Sequence, residues 1–120
     1  DGDIAGSIGI DIGATGNTNR NIGVRFLTSH EAHKLYLYLS ITDPLTASNM
    51  PAYVSGNSFG FQVYSSADGV IWTLIPGAIA SYDASFSRVA FTIPETTAEY
   101  FKVVNMATPA GAAAVNVTEL

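Results

Sequence analysis

The stretch FGFQVYSSADGVIW, residues 59–72, is the part of the sequence that decides the fold class. Phe59, Phe61 and Val63 alternate with smaller or polar residues, which is the period of a half-buried β-strand. An Asp-Gly pair at positions 68 and 69 then interrupts the pattern. Asp-Gly is a strong signal for a tight turn, because glycine accepts positive φ and aspartate bonds its own backbone. A Val-Ile-Trp run follows at once, so the stretch predicts a rigid β-hairpin.

The same alternation recurs along the chain on both sides of this hairpin. With the two hairpin arms included, it predicts eight strands, at residues 7–12, 21–28, 34–41, 58–66, 70–74, 86–93, 99–105 and 113–120. These segments are rich in β-branched and aromatic residues, and segments with glycine or proline separate them. No segment has the pattern of a long helix. Many short strands with such turns are typical of an all-β sandwich or barrel.

The alternation also predicts which side chains face the core. In the third strand, the leucines at 35, 37 and 39 share one face, and Tyr36 and Tyr38 lie on the other. The inward sets of the other long strands are Ile22, Val24, Phe26, Val89, Phe91, Ile93, Phe101 and Val103.

Composition narrows the classes of function. A chain of 120 residues suits one domain, and only 12% of its residues are charged, about half the usual share. The net charge is −5, and the five lysines and arginines form no cluster, which excludes nucleic-acid binding. The absence of cysteine excludes disulfides and thiol chemistry. No apolar run reaches the ~18 residues of a membrane helix. The neutral polar surface suits an extracellular module.

Several motifs follow one another in a recognisable order. They are Asp1-Gly2-Asp3, the paired segments 23–26 and 34–37, the SADGVIW segment at 66–72, the AEYFKVV segment at 98–104, and Thr118-Glu119-Leu120. In this order they resemble the motifs of discoidin domains, also called coagulation factor 5/8 type C domains, a family with many carbohydrate-binding modules. The chain departs from that pattern by one residue inserted after Ser66 and by Glu99 where arginine is usual.

The resemblance implies a single antiparallel jelly-roll sandwich of about eight strands over residues 1–120. It also implies that Trp72 is buried in the core and that loops at one end of the sandwich bind the ligand. The family usually has a strand or two before its first motif. Here either the domain is trimmed, or a neighbouring domain or second copy supplies that strand, because an exposed sheet edge invites pairing.

The resemblance further implies a structural calcium ion as cofactor. Asp3 and Glu119 match the family's acidic positions near the two ends of the chain, with Asp1 and Ser7 close to the first. Ca²⁺ takes about six to eight oxygen ligands, and such an ion would join both ends of a domain without cysteine. The alternative is an ordinary turn aspartate and a solvated terminal glutamate.

Four residues are candidates for contact with a sugar. Tyr36, Tyr38 and Tyr53 can stack on sugar rings, and Arg25 can donate hydrogen bonds to hydroxyls. The alternative for the first two is an ordinary position on a sheet face that a loop covers. Tyr82 is predicted to lie in a loop, as another possible sugar platform.

Catalytic and zinc motifs are not found. His30 and His33 flank Glu31, but they are three residues apart rather than the four of the HExxH zinc motif, so a solvated turn is predicted there. Gly-x-Ser-x-Gly and phosphate-loop patterns are absent. The sequence therefore predicts a non-catalytic module at the cell surface or outside the cell, with a glycan or another cell-surface ligand as partner. The alternative is a structural subunit or spacer of a surface protein or filament, assembling through sheet edges.

Overall fold

A computed structural model describes residues 10–11, 20–39, 61–106 and 116–120 of the chain. Within these ranges the protein consists of β-strands, turns and loops, without a helix. The strands are β1 (Ile10–Asp11), β2 (Asn21–Leu39), β3 (Phe61–Ser66), β4 (Thr73–Leu74), β5 (Ile79–Asp83), β6 (Arg88–Asn105) and β7 (Asn116–Glu119). All of their pairings are antiparallel, so the all-β, antiparallel prediction is confirmed.

Two long strands form the centre of the structure. β2 pairs with β6 from Asn21 opposite Val104 to Tyr38 opposite Arg88. On its other side, β6 pairs with β3 along its second half and with β5 along its first half. β4 pairs with β3, β7 pairs with the end of β2, and β1 pairs with β7. The order across the sheet is β1-β7-β2-β6-β3-β4, with β5 beside β6.

The long pair changes register twice near its middle. One shift lies between Arg25 and His30, where β2 has the extra residues, and the other lies between Ala32 and Lys34, where β6 has them. Irregular pairing of this kind bends a strand and increases its twist. Pro94 lies within the second irregular stretch, which suits a residue that has no N–H for the ladder. The bend divides each long strand into two halves.

The core lies between these halves. Leu37, Val89 and Phe91 come from one half, and Val63 and Phe101 come from the other, and all five are at most 1% exposed. The rings of Phe61 and Phe91 meet edge to face across the core, 5.7 Å apart. The described part of the chain is therefore sandwich-like, and the outer faces of its two halves point away from the core.

The predicted inward faces are confirmed wherever the structure describes them. The buried residues include Leu35, Leu37, Leu39, Val89, Phe91, Ile93, Phe101, Val103 and Val117, and Ile22, Val24 and Phe26 pack against them. A period of two is a local property of an extended chain, so it is readable from the sequence.

Four of the predicted strands are in fact two. Residues 21–28 and 34–41 were predicted as separate strands, but β2 runs through 29–33 without a turn. Likewise, the predicted strands 86–93 and 99–105 are parts of β6, which begins at Arg88 and continues past Pro94. At both places the chain bulges and then resumes pairing with its neighbour, where the sequence predicted a turn.

The predicted hairpin exists, but its connection is longer than a tight Asp-Gly turn. β3 and β4 pair at Tyr64 opposite Leu74 and at Ser65 opposite Thr73. Residues 67–72, named here the β3–β4 loop, connect them, so the second arm is shorter than predicted. β5 was not predicted, because its small residues weaken the alternation. Tyr82 therefore lies in a strand and packs against the core, where a loop was predicted.

Replacing Phe101 with alanine tests the position of the core. The ring is fully buried, so its loss should lower the free energy of unfolding by about 3–5 kcal/mol, measured by urea denaturation. The matched control is Leu27→Ala, because Leu27 is 98% exposed and its loss should change stability by less than about 0.5 kcal/mol. Equal effects of the two substitutions would contradict the described core.

Candidate functional site

A network of short hydrogen bonds holds the β3–β4 loop. The Ser66 hydroxyl donates to Asp68 Oδ1 (3.0 Å) and accepts from the backbone N–H groups of Asp68 and Gly69 (3.2 and 2.9 Å). Asp68 Oδ1 also accepts from the N–H groups of Val70 and Ile71, at 2.8 and 2.9 Å. Serine and aspartate commonly close turns in this way, so the local sequence itself defines the shape of the loop.

The same bonds favour the charged form of Asp68. The N–H groups of Ile71 and Val70 and the hydroxyl of Ser66, in that order of size, hold the pKa of this carboxyl below its ordinary value of 3.8. The loop is therefore built around a carboxylate that is ionised at neutral pH.

Gly69 brings the loop against Tyr100. Its φ is +74°, in the left-handed region that favours glycine. A Cβ at this position would also lie 3.0 Å from the Tyr100 ring, which is tighter than most real Cβ contacts. Both conditions favour glycine, so the Asp-Gly pair does mark a special backbone conformation, although not a two-residue hairpin turn.

Trp72 lies on the outer face of the structure, and the prediction that it belongs to the core is wrong. Its ring is half-buried and meets Tyr100 edge to face, 6.3 Å between centroids. The indole N–H donates to the carbonyl oxygen of Gly69 (3.1 Å), and Lys102 Nζ lies 4.1 Å from the ring centroid. Trp72 is the last residue of the loop, directly before β4, and its indole N–H is hydrogen-bonded on this outer face.

A cavity of about 370 Å³ opens beside this loop. It lies where the long strands bend, between the end of β3, the β3–β4 loop and the middle of β2 and β6. Five hydroxyl side chains, one carboxylate and three apolar side chains line it: Ser29, Ser65, Ser66, Thr73, Thr97, Asp68, Ala67, Ile71 and Ala98. Ala98 is also a buried core residue, so the cavity reaches the edge of the core.

A row of aromatic and cationic side chains continues from Trp72 across the outer face of the same half. We name Arg25, Tyr64, Trp72, Tyr100 and Lys102 the Trp72 surface. The Arg25 guanidinium lies 5.2 Å from the Tyr100 ring centroid, and Lys102 Nζ lies 5.6 Å from that of Tyr64. Arg25 also forms an ion pair with a glutamate, Nε to Oε1 of Glu99, at 3.0 Å.

The outer face of the other half carries a second cluster, centred on Arg88. Its guanidinium carbon lies 4.1 Å from the ring centroid of Tyr36 and 4.4 Å from that of Phe86. Its N–H groups donate to the Tyr38 hydroxyl (2.9 Å) and to Asp83 Oδ2 (2.9 Å). Partial burial opposes the charge, but the hydrogen bonds to Tyr38 and Asp83 outweigh it, so the pKa of Arg88 is above its ordinary value.

The structure separates the residues that the sequence offered as sugar contacts. Tyr36 and Tyr38 lie together on the outer face of their half, with Arg88 against both rings. Arg25 lies on the Trp72 surface instead, and Tyr53 falls outside the described residues. Arg88 was missed as a site residue, because its partners depend on the register of β2 against β6, which no local pattern gives.

Only one of the two predicted calcium ligands lies in the described part of the chain. Asp3, Asp1 and Ser7 fall outside the described residues, whereas Glu119 lies in β7 opposite Tyr38. Among the described residues, no three histidine, cysteine or acidic side chains are grouped so that they could hold a metal ion. The calcium site therefore stays a prediction.

His30 and His33 lie on exposed positions of β2 rather than in the predicted turn. His30 Nδ1 is 2.9 Å from the carbonyl oxygen of Thr28, and its ring stacks on Phe26 at 4.8 Å. These local contacts account for His30 without a ligand.

Comparison with protein-family models, with curated proteins and with solved structures finds no match to this chain. The likeness to discoidin domains thus stays a prediction from motifs. No membrane-crossing helix occurs in the described part of the chain.

The order of the β3–β4 loop should depend on pH through Asp68. Because the folded-state pKa lies below 3.8, the ionised carboxylate stabilises the loop at higher pH, and this stabilisation is lost as the pH falls through the folded value. Trp72 is the single tryptophan, so its fluorescence reports on the loop. We expect constant emission from pH 7 to about 4 and a change below.

Asp68→Asn is the control for this titration. The amide keeps an acceptor oxygen for the loop N–H groups but does not titrate. The acid transition in Trp72 emission should therefore be absent or displaced in this variant while circular dichroism shows an intact sheet. An unchanged transition would assign it to another group.

Proposed function

We propose that this chain is a non-catalytic extracellular module, with a discoidin-like jelly-roll fold, that binds carbohydrate or another cell-surface ligand. The observation that carries the proposal is the cavity of about 370 Å³ beside the β3–β4 loop. Its volume is within the range of small-molecule sites, about 300–1,000 Å³.

The lining of the cavity suits a polyhydroxylated ligand. Serine and threonine hydroxyls both donate and accept hydrogen bonds, as sugar hydroxyls do, and the ionised Asp68 accepts them. Ile71 and Ala67 offer an apolar wall for the C–H face of a sugar ring. A few polar groups that fix orientation within a partly apolar wall are the usual arrangement of a ligand site.

The hydrogen bonds of Ser66 and Asp68 also favour binding through preorganisation. They fix the loop before a ligand arrives, so little conformational entropy is lost on association. Binding rather than hydrolysis is proposed, because among the described lining residues Asp68 supplies the one carboxylate, and glycoside hydrolysis generally uses a pair.

The other predicted site residues remain candidates. Tyr36, Tyr38, Tyr53 and Arg25 remain candidate sugar contacts, and Asp3 with Glu119 remains a candidate calcium site. The stacking of Arg88 on Tyr36 and Tyr38 is an alternative explanation for those two tyrosines.

The cavity is tested by substitution of lining residues that hold no part of the loop network. A glycan array should identify a saccharide that binds, and titration calorimetry should then show weaker binding for Ser29→Ala and Thr97→Val, about tenfold per lost hydrogen bond. Ser85→Ala, at an exposed turn outside the cavity, is the matched control. No binding on the array would refute carbohydrate binding, and equal affinity of all variants would refute the cavity as the saccharide site.

A structural subunit is the second candidate, and a specific observation favours it. Among the described strands, β4 is at the end of the sheet order and β5 pairs with β6 alone. Both present large apolar side chains to solvent, with Leu74 43% and Ile79 68% exposed. Edges of this kind are where another chain can add a strand.

Sedimentation velocity distinguishes this alternative. If the chain assembles through these edges, its sedimentation coefficient should rise with concentration, and Leu74→Lys and Ile79→Lys should abolish the increase, because edge charges oppose pairing. If the chain is monomeric at all concentrations, assembly through these edges is refuted and the binding function is the one that remains.

A further inference from the structure

The ammonium group of Lys102, on the Trp72 surface, lies close to two aromatic rings. Its Nζ lies 4.1 Å from the Trp72 ring centroid and 5.6 Å from that of Tyr64. Among the described residues, no carboxylate pairs with this ammonium, whereas Arg25 pairs with Glu99 and Arg88 with Asp83. Aromatic faces attract cations, but they do not neutralise the charge as a carboxylate does.

On its β2 side, Lys102 lies opposite a glycine, which carries no side chain. Gly23 lies opposite Lys102, and Tyr64 and then Leu74 continue the same row through β3 and β4. A Cβ at Gly23 would lie 3.0 Å from the Phe101 carbonyl oxygen and 3.2 Å from Lys102 Cβ. The space beside Lys102 is therefore tight at this point, and Gly23 places no side chain of its own there.

The Trp72 surface is long. Its side chains come from β2, β6, β3 and the β3–β4 loop, and the row reaches β4, so it crosses four strands. Neighbouring strands are about 4.8 Å apart, which gives a length of roughly 14 Å. An extended ligand suits this shape better than a single small molecule.

We propose that the Trp72 surface binds an anionic saccharide chain, one that carries carboxylate or sulfate groups. The acidic groups would pair with Lys102 and with the exposed Arg25, and the apolar faces of the sugar rings would lie on exposed parts of Tyr64, Trp72 and Tyr100. Charge complementarity carries the choice, because on a chain whose net charge is −5 the Lys102 ammonium has no carboxylate partner among the described residues, whereas Arg25 has Glu99.

Other polyanions fit less well. An anionic membrane is recognised by clusters of about four to eight basic residues, and a nucleic acid by about six to ten phosphate contacts. The whole chain has five lysines and arginines, and this surface uses two of them. The cavity is a separate candidate site, since its lining shares no side chain with the Trp72 surface.

Titration of the intact chain with heparin and polygalacturonate, and with neutral dextran, tests the proposal. We expect at least one anionic chain to bind and to change Trp72 fluorescence, because the ligand contacts the single tryptophan. The affinity should fall as salt is added. Dextran should not compete. No binding of either anionic chain, or binding that leaves Trp72 emission unchanged, would overturn the proposal without reliance on any variant.

Lys102→Met keeps the aliphatic stem against Trp72 and removes the charge. It should weaken binding by about tenfold or more, and Arg25→Gln should also weaken it. Lys34→Met is the matched control, since Lys34 is an exposed lysine of the other half and should have no effect. Equal affinity of Lys102→Met and wild type would overturn the proposal.

Two further measurements test which ligand binds and at which site. Polyglutamate that binds as tightly as the saccharides and depends equally on Lys102 would replace the saccharide by a polypeptide as the occupant. Ser29→Ala and Thr97→Val should leave binding of the anionic chain unchanged. If they weaken it, the ligand occupies the cavity, and the inference fails while the proposed binding function stands.

Discussion

The pairing of β2 with β6 is the interaction on which the other strands depend. These two strands contain most of the paired residues, and β6 also pairs with β3 and β5 along its other edge. Because both strands bulge near the same level, one continuous pair contributes to both sides of the core, where Phe61 meets Phe91. A regular pair of this length would continue as one twisted ribbon and would not bend back over itself to enclose a core. The irregular stretch around Pro94 is therefore as necessary to the fold as the regular ladder.

The candidate site depends on a second, more local device. Ser66, Asp68 and Gly69 close the β3–β4 loop with contacts two or three residues apart, which is why the sequence could mark this segment as special. The direction of Trp72 could not be predicted in the same way. It depends on Tyr100, which is distant in sequence and comes alongside only when β3 pairs with β6. The loop is thus locally encoded, but the surface it builds requires the whole sheet.

The same distinction explains which predictions succeeded elsewhere. Alternation identified the inward leucines of β2, because burial on one face of a strand leaves a period of two. It failed at 29–33 and at Pro94, since polar residues and proline mark irregular backbone without showing whether the chain turns or bulges. The cavity joins residues from β2, β3, β6 and the loop, so only the register of the strands could reveal it.

On each outer face a cationic side chain lies on aromatic rings, but the two cations differ in their other partners. On one face, Arg88 lies between Tyr36 and Phe86, and Asp83 and Tyr38 accept its hydrogen bonds. A guanidinium satisfied in this way stabilises its own surroundings and has little left to offer a ligand. On the opposite face, Lys102 also rests on aromatic rings, but the described residues around it supply no carboxylate. Because the rings and the cation are alike in kind, the carboxylate that Arg88 has and that Lys102 lacks among the described residues is what separates the structural cluster from a surface suited to an anionic partner.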